Sequence, residues 1–167
     1  MSDQERFEQL IGAVLDHEGG LSNVPEDPGG LTKYGISLRA YPHLGADGIR
    51  RLTVEQAKDI YYRDWWLKLR CPEIRDDRVA QKLLDTAVNV GKGASTRLLQ
   101  RALCEVGQRV TVDGRIGPQT LAATNRTNPG VLLAVMRRLQ AAHYEALIQR
   151  NPRLAKFRRG WLARAAF

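Results

Sequence analysis

The sequence predicts an all-α fold with room for at most one small hairpin, and three observations carry that expectation. Apolar residues recur at intervals of three and four along six segments between Gln4 and Ala165. Helix-start signals stand at the head of several: Ser2 with Glu5, Thr53 with Gln56, and prolines at Pro118, Pro129 and Pro152. The stretch that reads as extended, Lys33 to Ile36, is short.

The first helix begins at about Gln4, with Phe7, Leu10, Ile11, Val14 and Leu15 as its inner face. Followed one more turn through Phe7, Ile11 and Val14, the same stripe arrives at Glu18, so a carboxylate stands where the pattern calls for a core residue. Gly19 and Gly20 end the helix, because glycine takes the left-handed cap conformation without steric cost. A carboxyl withdrawn from water at the negative end of a helix dipole has its charged form disfavoured, which is what a general acid needs near neutral pH. The plainer alternative is a solvated helix-end glutamate.

The loop that follows favours chemistry. Asp27 and Thr32 come after Glu18 within a run turned by Pro25, Pro28, Gly29 and Gly30. Folded over the helix end, such a loop presents both to one cleft. Acid-catalysed glycoside cleavage needs one protonated carboxyl and one ionised carboxylate that positions water or steadies an oxocarbenium ion. Glu18, Asp27 and Thr32 would supply acid, carboxylate and water-orienting hydroxyl. Tyr34 either lines that cleft or packs beside it.

Tyr41 to Arg51, with Pro42, Gly45 and Gly48, reads as a connecting loop. From Thr53 a helix carries Val54, Ala57, Ile60, Tyr61 and Trp65 on one face, with Tyr62, Arg63 and Trp66 toward the other. Tyr62 and Trp66 are candidate sugar-stacking rings, with core packing as the alternative. Cys71, Pro72 and Glu73 break that helix. The next helix, from about Arg78 to Asn89, turns Val79, Leu83, Leu84, Ala87 and Val88 inward and sets Asp85 and Asn89 on one face. A helix from Ser95 to Gly107 follows, then a tight turn at Asp113 and Gly114. A long helix from Pro129 to about Arg150 has Val131, Leu132, Val135, Leu139, Ala142, Ala146 and Leu147 as its stripe. The terminal helix sets Leu154, Phe157, Trp161, Leu162 and Ala165 against Arg153, Lys156, Arg158, Arg159 and Arg164. It either docks on the domain or meets an anionic surface such as an outer membrane or lipopolysaccharide.

The run EGGLSNVPEDPGGLTKYGIS closely resembles the N-terminal signature of the glycoside hydrolase 108 family, N-acetylmuramidases of phage endolysins and bacterial lysins. The resemblance extends through LDTAVNVG and implies a lysozyme-like helical domain. Its EGG glutamate, the family's catalytic acid, falls on Glu18. The order acid, aspartate, threonine is also similar to that of phage T4-type lysozymes, although the interval from Asp27 to Thr32 is one residue shorter here. By the same analogy Asn89 is a substrate ligand, or else a helix-end cap, and Asp85 an alternative second carboxylate. VDGRIGPQTLAA resembles the repeat of small peptidoglycan-binding modules through Asp113, Gly114, Gly117 and Thr120. Residues 1–91 are then a muramidase region and 92–167 a peptidoglycan-binding-like helical region, expected to pack as one compact unit. The expected substrate is peptidoglycan, cleaved at the β-1,4 bond between N-acetylmuramic acid and N-acetylglucosamine by a monomer without a cofactor. Open alternatives are a lytic transglycosylase and a non-catalytic basic protein that binds cell wall or nucleic acid.

The chain of 167 residues has a formal net charge of +8, which calls for an anionic partner. The basic residues are scattered over several helices without a helix-turn-helix or zinc pattern, which argues against nucleic acid. The polar start MSDQERFEQL is not a secretory signal, so the expectation is a protein made in the cytoplasm that reaches the periplasmic wall by holin-type release or as an injected effector. Cys71 and Cys104 read as free thiols rather than a disulfide. His17 and Glu18 start like HExxH, but Leu21 stands where the second histidine belongs, and no metal is expected.

Overall fold

The computed structural model describes residues 1–18, 21–23 and 30–167, and side chains for 1–17 and 30–167. It comprises two compact units, Met1–Lys68 and Leu69–Phe167. Helix dominates both, as the period of the apolar residues predicts, and the first unit adds a small sheet.

In the first unit α1 (Asp3–Glu18) opens on a reciprocal cap. The Glu5 amide donates to Ser2 Oγ at 3.2 Å, and the Ser2 amide to the Glu5 carboxylate at 2.6 Å. Phe7, Ile11 and Val14 are buried, so the stripe read from the sequence is the core face. Three strands follow: β1 (Leu21–Asn23), β2 (Leu31–Lys33) and β3 (Ile36–Ser37), antiparallel in the order β1-β2-β3. The expected extended piece at Lys33–Ile36 is in fact a two-residue hairpin turn, with Tyr34 at φ 51° and Gly35 at φ 79°. Positive φ at both central residues matches the right-handed twist of the flanking strands. The expected loop after Tyr41 is a 3₁₀ turn (Pro42–Leu44) and α2 (Gly45–Arg51). Burial of Ile49 and Leu52 there outweighs the poor helix propensity of two glycines.

α3 (Val54–Tyr61) begins on the predicted capping box, with Thr53 and Gln56 exchanging bonds of 3.0 and 3.1 Å. It then widens into one π-helical turn, Tyr62–Trp66, in which the Leu67 amide reaches back five residues to the Tyr62 carbonyl at 3.0 Å. That extra residue shifts the helix phase. Tyr61 is followed inward by Trp66, not Trp65, and Trp66 is 0% exposed. Its indole N–H donates to both oxygens of Asp3 (3.0 and 3.1 Å), and its ring packs against Phe7 and beneath the Arg6 guanidinium. A ring with no free face offers no stacking surface, so the expectation of Trp66 as a sugar platform is corrected to a core role.

The second unit holds α4 (Asp77–Val90), α5 (Lys92–Glu105), α6 (Pro118–Arg126), α7 (Pro129–Arg150) and α8 (Arg158–Ala166), with 3₁₀ turns at Cys71–Glu73 and Pro152–Phe157. Asp76 caps α4 by accepting from the Arg78 and Val79 amides at 3.0 and 3.2 Å. Gly91, at φ 92°, closes α4 and opens α5. Along α7 the predicted stripe has the wrong phase. Leu132, Leu133, Met136, Gln140, Tyr144 and Ile148 are buried, while Val131 and Ala142 face water. The phase is set by polar groups that the pattern reads as exposed. Gln140 Nε2 donates to the Tyr144 hydroxyl (2.8 Å), which donates to Asn89 Oδ1 (2.5 Å), and Thr86 Oγ1 donates to Gln140 Oε1 (3.3 Å).

α8 docks through charge. Arg164, expected on its basic face, is buried, with Nε and Nη2 on the two carboxylate oxygens of Asp85 at 3.1 and 2.9 Å. Lys82, 2% exposed, donates to the Arg164 and Ala165 carbonyls at 3.2 and 2.8 Å, and Arg137 to the Phe167 carbonyl at 3.0 Å. These cations satisfy carbonyls that a helix end leaves without intrahelical partners.

Burial pushes the Lys82 ammonium down to about 8, and neighbouring Arg137 and Arg164 add to the shift against the opposing pull of Asp85. A lysine depressed in the folded state binds fewer protons there than when unfolded, so its penalty is fully present below pH 8 and fades toward pH 10.5. Denaturant titrations at pH values spanning that window should show wild type gaining about 2–3 kcal/mol relative to Lys82→Met. Parallel curves for the two proteins would contradict the assignment. In the first unit, Asp3→Ala strands the buried Trp66 N–H and should cost about 1–3 kcal/mol, seen as a lowered thermal midpoint; an unchanged midpoint would contradict this role for Asp3.

Candidate active site

The predicted site begins where α1 ends. Glu18 is the last residue of that helix, one turn beyond buried Val14. The Glu18 side chain and all of Asp27 lie outside the described part of the structure. The strands on either side of that segment are paired: Leu21 with Lys33, Ser22 with Thr32, and Asn23 with Leu31. Adjacent antiparallel strands therefore flank the run that contains Asp27.

Thr32 occupies the middle strand, between Ser22 and Ser37 in register, and is half-buried. Its hydroxyl lies 3.5 Å from the Gly30 carbonyl, a long contact that leaves it able to donate elsewhere. The pairing of Thr32 with Ser37 sets two hydroxyl residues side by side on one face, a juxtaposition that the linear spacing hides.

Two residues on, Tyr34 sits half-buried in the hairpin turn. Its carbonyl accepts from the Tyr61 hydroxyl at 2.8 Å, and the Lys33 ammonium lies 5.4 Å from its ring centre. Tyr34 lines a groove of about 450 Å³ with Gly12, Leu15, Asp16, Val54 and Lys58. Val54, expected inside, is 39% exposed on that groove. A tyrosine at positive φ is conformationally unfavourable, by roughly 1–2 kcal/mol. Tyr62 is half-buried, its hydroxyl donating to Asp3 at 3.0 Å and its ring edge-on to Phe7 at 5.2 Å, which gives it a packing role beside Trp66.

In the second unit Asn89 is half-buried near the end of α4, with Oδ1 taken by Tyr144. Asp85 is 0% exposed and bound on both oxygens by Arg164, so the expectation of a second catalytic carboxylate there is corrected to a structural ion pair. The Asp113–Thr120 motif is a corner gripped by Gln100. The Gln100 amide nitrogen contacts Asp113 Oδ1, the Arg115 carbonyl and Thr120 Oγ1 at 2.9, 2.9 and 3.2 Å, while its oxygen accepts from the Asp113 and Gly114 amides. Gly114 has φ 78°, and a Cβ there would stand 2.9 Å from Arg97 Cζ, which accounts for the glycine. Gln100 had no signal in the sequence beyond its place on an amphipathic helix.

Neither Cys71, buried, nor Cys104, exposed, is in a disulfide. Among the described residues no group of three or more His, Cys, Asp or Glu could hold a metal ion, and no helix is long and apolar enough to cross a membrane.

The protein-family model Glycosyl hydrolase 108 matches residues 11–91, and the model described as Predicted Peptidoglycan domain matches residues 94–166. No curated protein sequence matches. Among solved structures, SagA of Brucella abortus is similar at 27% identity with a TM-score of 0.80, over 98% of this chain and 91% of that one. The mainly helical, lysozyme-like class expected from the sequence is therefore the observed one. The chain carries a glycosyl hydrolase 108 domain, holding the α1 terminus and the small sheet, followed by a predicted peptidoglycan domain.

Proposed function

We propose that this chain is a lysozyme-type N-acetylmuramidase, hydrolysing the β-1,4 bond between N-acetylmuramic acid and N-acetylglucosamine in peptidoglycan, with Glu18 as general acid. The observation that carries this reading is the buried stripe of α1. Phe7, Ile11 and Val14 lead to Glu18, the last residue of the helix, and a carboxylate at that end faces the negative pole of the helix dipole, which favours the protonated form. The glycosyl hydrolase 108 match, which spans this position, supports it.

Glu18 gives its proton to the bridging oxygen as the glycosidic bond breaks. Asp27 steadies the developing positive charge or positions water, and Thr32, on the strand that leaves the loop, orients that water. The water's oxygen ends on the anomeric carbon and its proton returns to a carboxylate, so the acid is regenerated. Tyr34, lining an open groove, is the described ring best placed to meet a sugar face.

The state of the other carboxylates supports the choice. Every described carboxyl group whose pKa departs from its ordinary value departs downward: Glu5 through Ser2, Asp64 through Arg63, Glu73 through Arg70, Asp76 through Arg78 and Asp113 through Gln100. None of these is suited to holding a proton for a leaving group.

Glu18→Gln is nearly isosteric but has no proton to give. Purified and folded, it should lose about 10²–10⁴-fold in the rate of peptidoglycan clearing. Clearing within a few-fold of wild type would sink the assignment.

A further inference from the structure

The net charge is not shared between the two units. Residues 1–68 hold eight Lys and Arg against eleven Asp and Glu, a net of −3, while residues 69–167 hold eighteen against seven, a net of +11. Within the second unit the excess is concentrated. The ten residues from Arg150 to Arg159 include Arg150, Arg153, Lys156, Arg158 and Arg159, all exposed, and no carboxylate occurs between Glu145 and Phe167. Of these five, Arg158 is ion-paired, to Glu145 at 3.1 Å.

In the middle of these cations stands an apolar ring. Phe157 is 44% exposed, with the Lys156 ammonium 5.1 Å from its ring centre. Behind it runs a stack of aromatics: Phe157 on Trp161 at 5.5 Å, and Trp161 on Tyr144 at 5.0 Å. Tyr144 is buried and fixed by its bond to Asn89. The helix that follows is fastened at its far end by Arg164 on Asp85 and by Lys82 on two carbonyls. The exposed ring is thus held rigidly out from the core rather than carried on a loose tail.

From this we propose that the Arg150–Arg159 surface docks the protein on an anionic phospholipid bilayer. Its cations meet headgroup phosphates, and Phe157 enters the headgroup–acyl boundary between them. Charge complementarity supplies long-range attraction, and an exposed apolar side chain within a run of Lys and Arg is the chemistry of an interfacial anchor. Nucleic acid, whose phosphates carry the same charge, is the alternative occupant that the DNA arm of the test separates. The two readings of the terminal segment thus apply to different parts of it: α8 docks on its own unit, and the turn before it faces outward. None of the residues from Arg150 to Arg159 is one the hydrolase reading uses, so failure of membrane docking would leave that reading standing, and the reverse.

The test is co-sedimentation of the full chain with phosphatidylcholine vesicles, with and without phosphatidylglycerol, at low and physiological ionic strength. Wild type should bind the anionic vesicles and not the neutral ones. Each exposed cation removed should weaken partitioning about fivefold, so Arg153→Gln with Arg159→Gln should lose about 25-fold. Phe157→Ala should lose severalfold and Phe157→Trp should retain binding, both with wild-type circular dichroism and thermal midpoint. Equal binding to both vesicle types would overturn the proposal, as would binding insensitive to these substitutions. So would charge-dependent retention on DNA or lipid-free peptidoglycan without vesicle binding.

Discussion

The second unit depends on a salt bridge taken out of water. Moving Asp85 and Arg164 from solvent costs several kcal/mol per ion, and their attraction repays it only because the guanidinium meets both carboxylate oxygens. Once formed, the pair is intolerant of displacement, since a shift of α8 would leave a buried charge without its partner. Lys82 adds to that constraint from α4 by holding the last carbonyls of the same helix. A helix of nine residues, too short to be stable alone, is given one position by ions rather than by its apolar face.

Carboxylates are used in the same way elsewhere, and that bears on function. Asp3 receives the Trp66 indole and the Tyr62 hydroxyl, Asp64 the Tyr41 hydroxyl and Arg63, Asp76 the first amides of α4, and Asp113 the Gln100 amide. Each has its lone pairs committed to holding local structure. A catalytic acid has the opposite requirement, a carboxyl left protonated until a substrate oxygen arrives. The helix-end glutamate of α1, which follows Phe7, Ile11 and Val14 and lies within the family match, is the residue proposed for that role.

Much of this could be read from the residues because the signals were local. The caps at Ser2–Glu5 and Thr53–Gln56, the stripe of α1 and the corner at Asp113–Gly114 need only neighbouring residues to form. Where tertiary packing decided, the pattern misled. One π-helical turn exchanged Trp65 for Trp66 in the core, and a single inserted residue of that kind leaves no mark on a 3.6-residue period. Gln140, Tyr144 and Arg164 read as surface residues because their partners, Thr86, Asn89 and Asp85, lie on α4, far away in sequence. The glycines of α2 and the tyrosine of the hairpin turn are likewise tolerated for reasons of burial and strand twist that no local window contains. Of the candidate site, Glu18, Asp27 and Thr32 come from the sequence as a proposed set, whereas the register that sets Ser37 beside Thr32 had no sequence signal.

In the proposed reaction a proton from a helix-end carboxyl and the oxygen of water together divide one kind of sugar linkage. Mass spectrometry of the soluble fragments released from purified peptidoglycan addresses it most directly. The expected fragments end in reducing N-acetylmuramic acid, each carrying the added water. A series ending in anhydromuramic acid, or in reducing N-acetylglucosamine, would contradict that reaction.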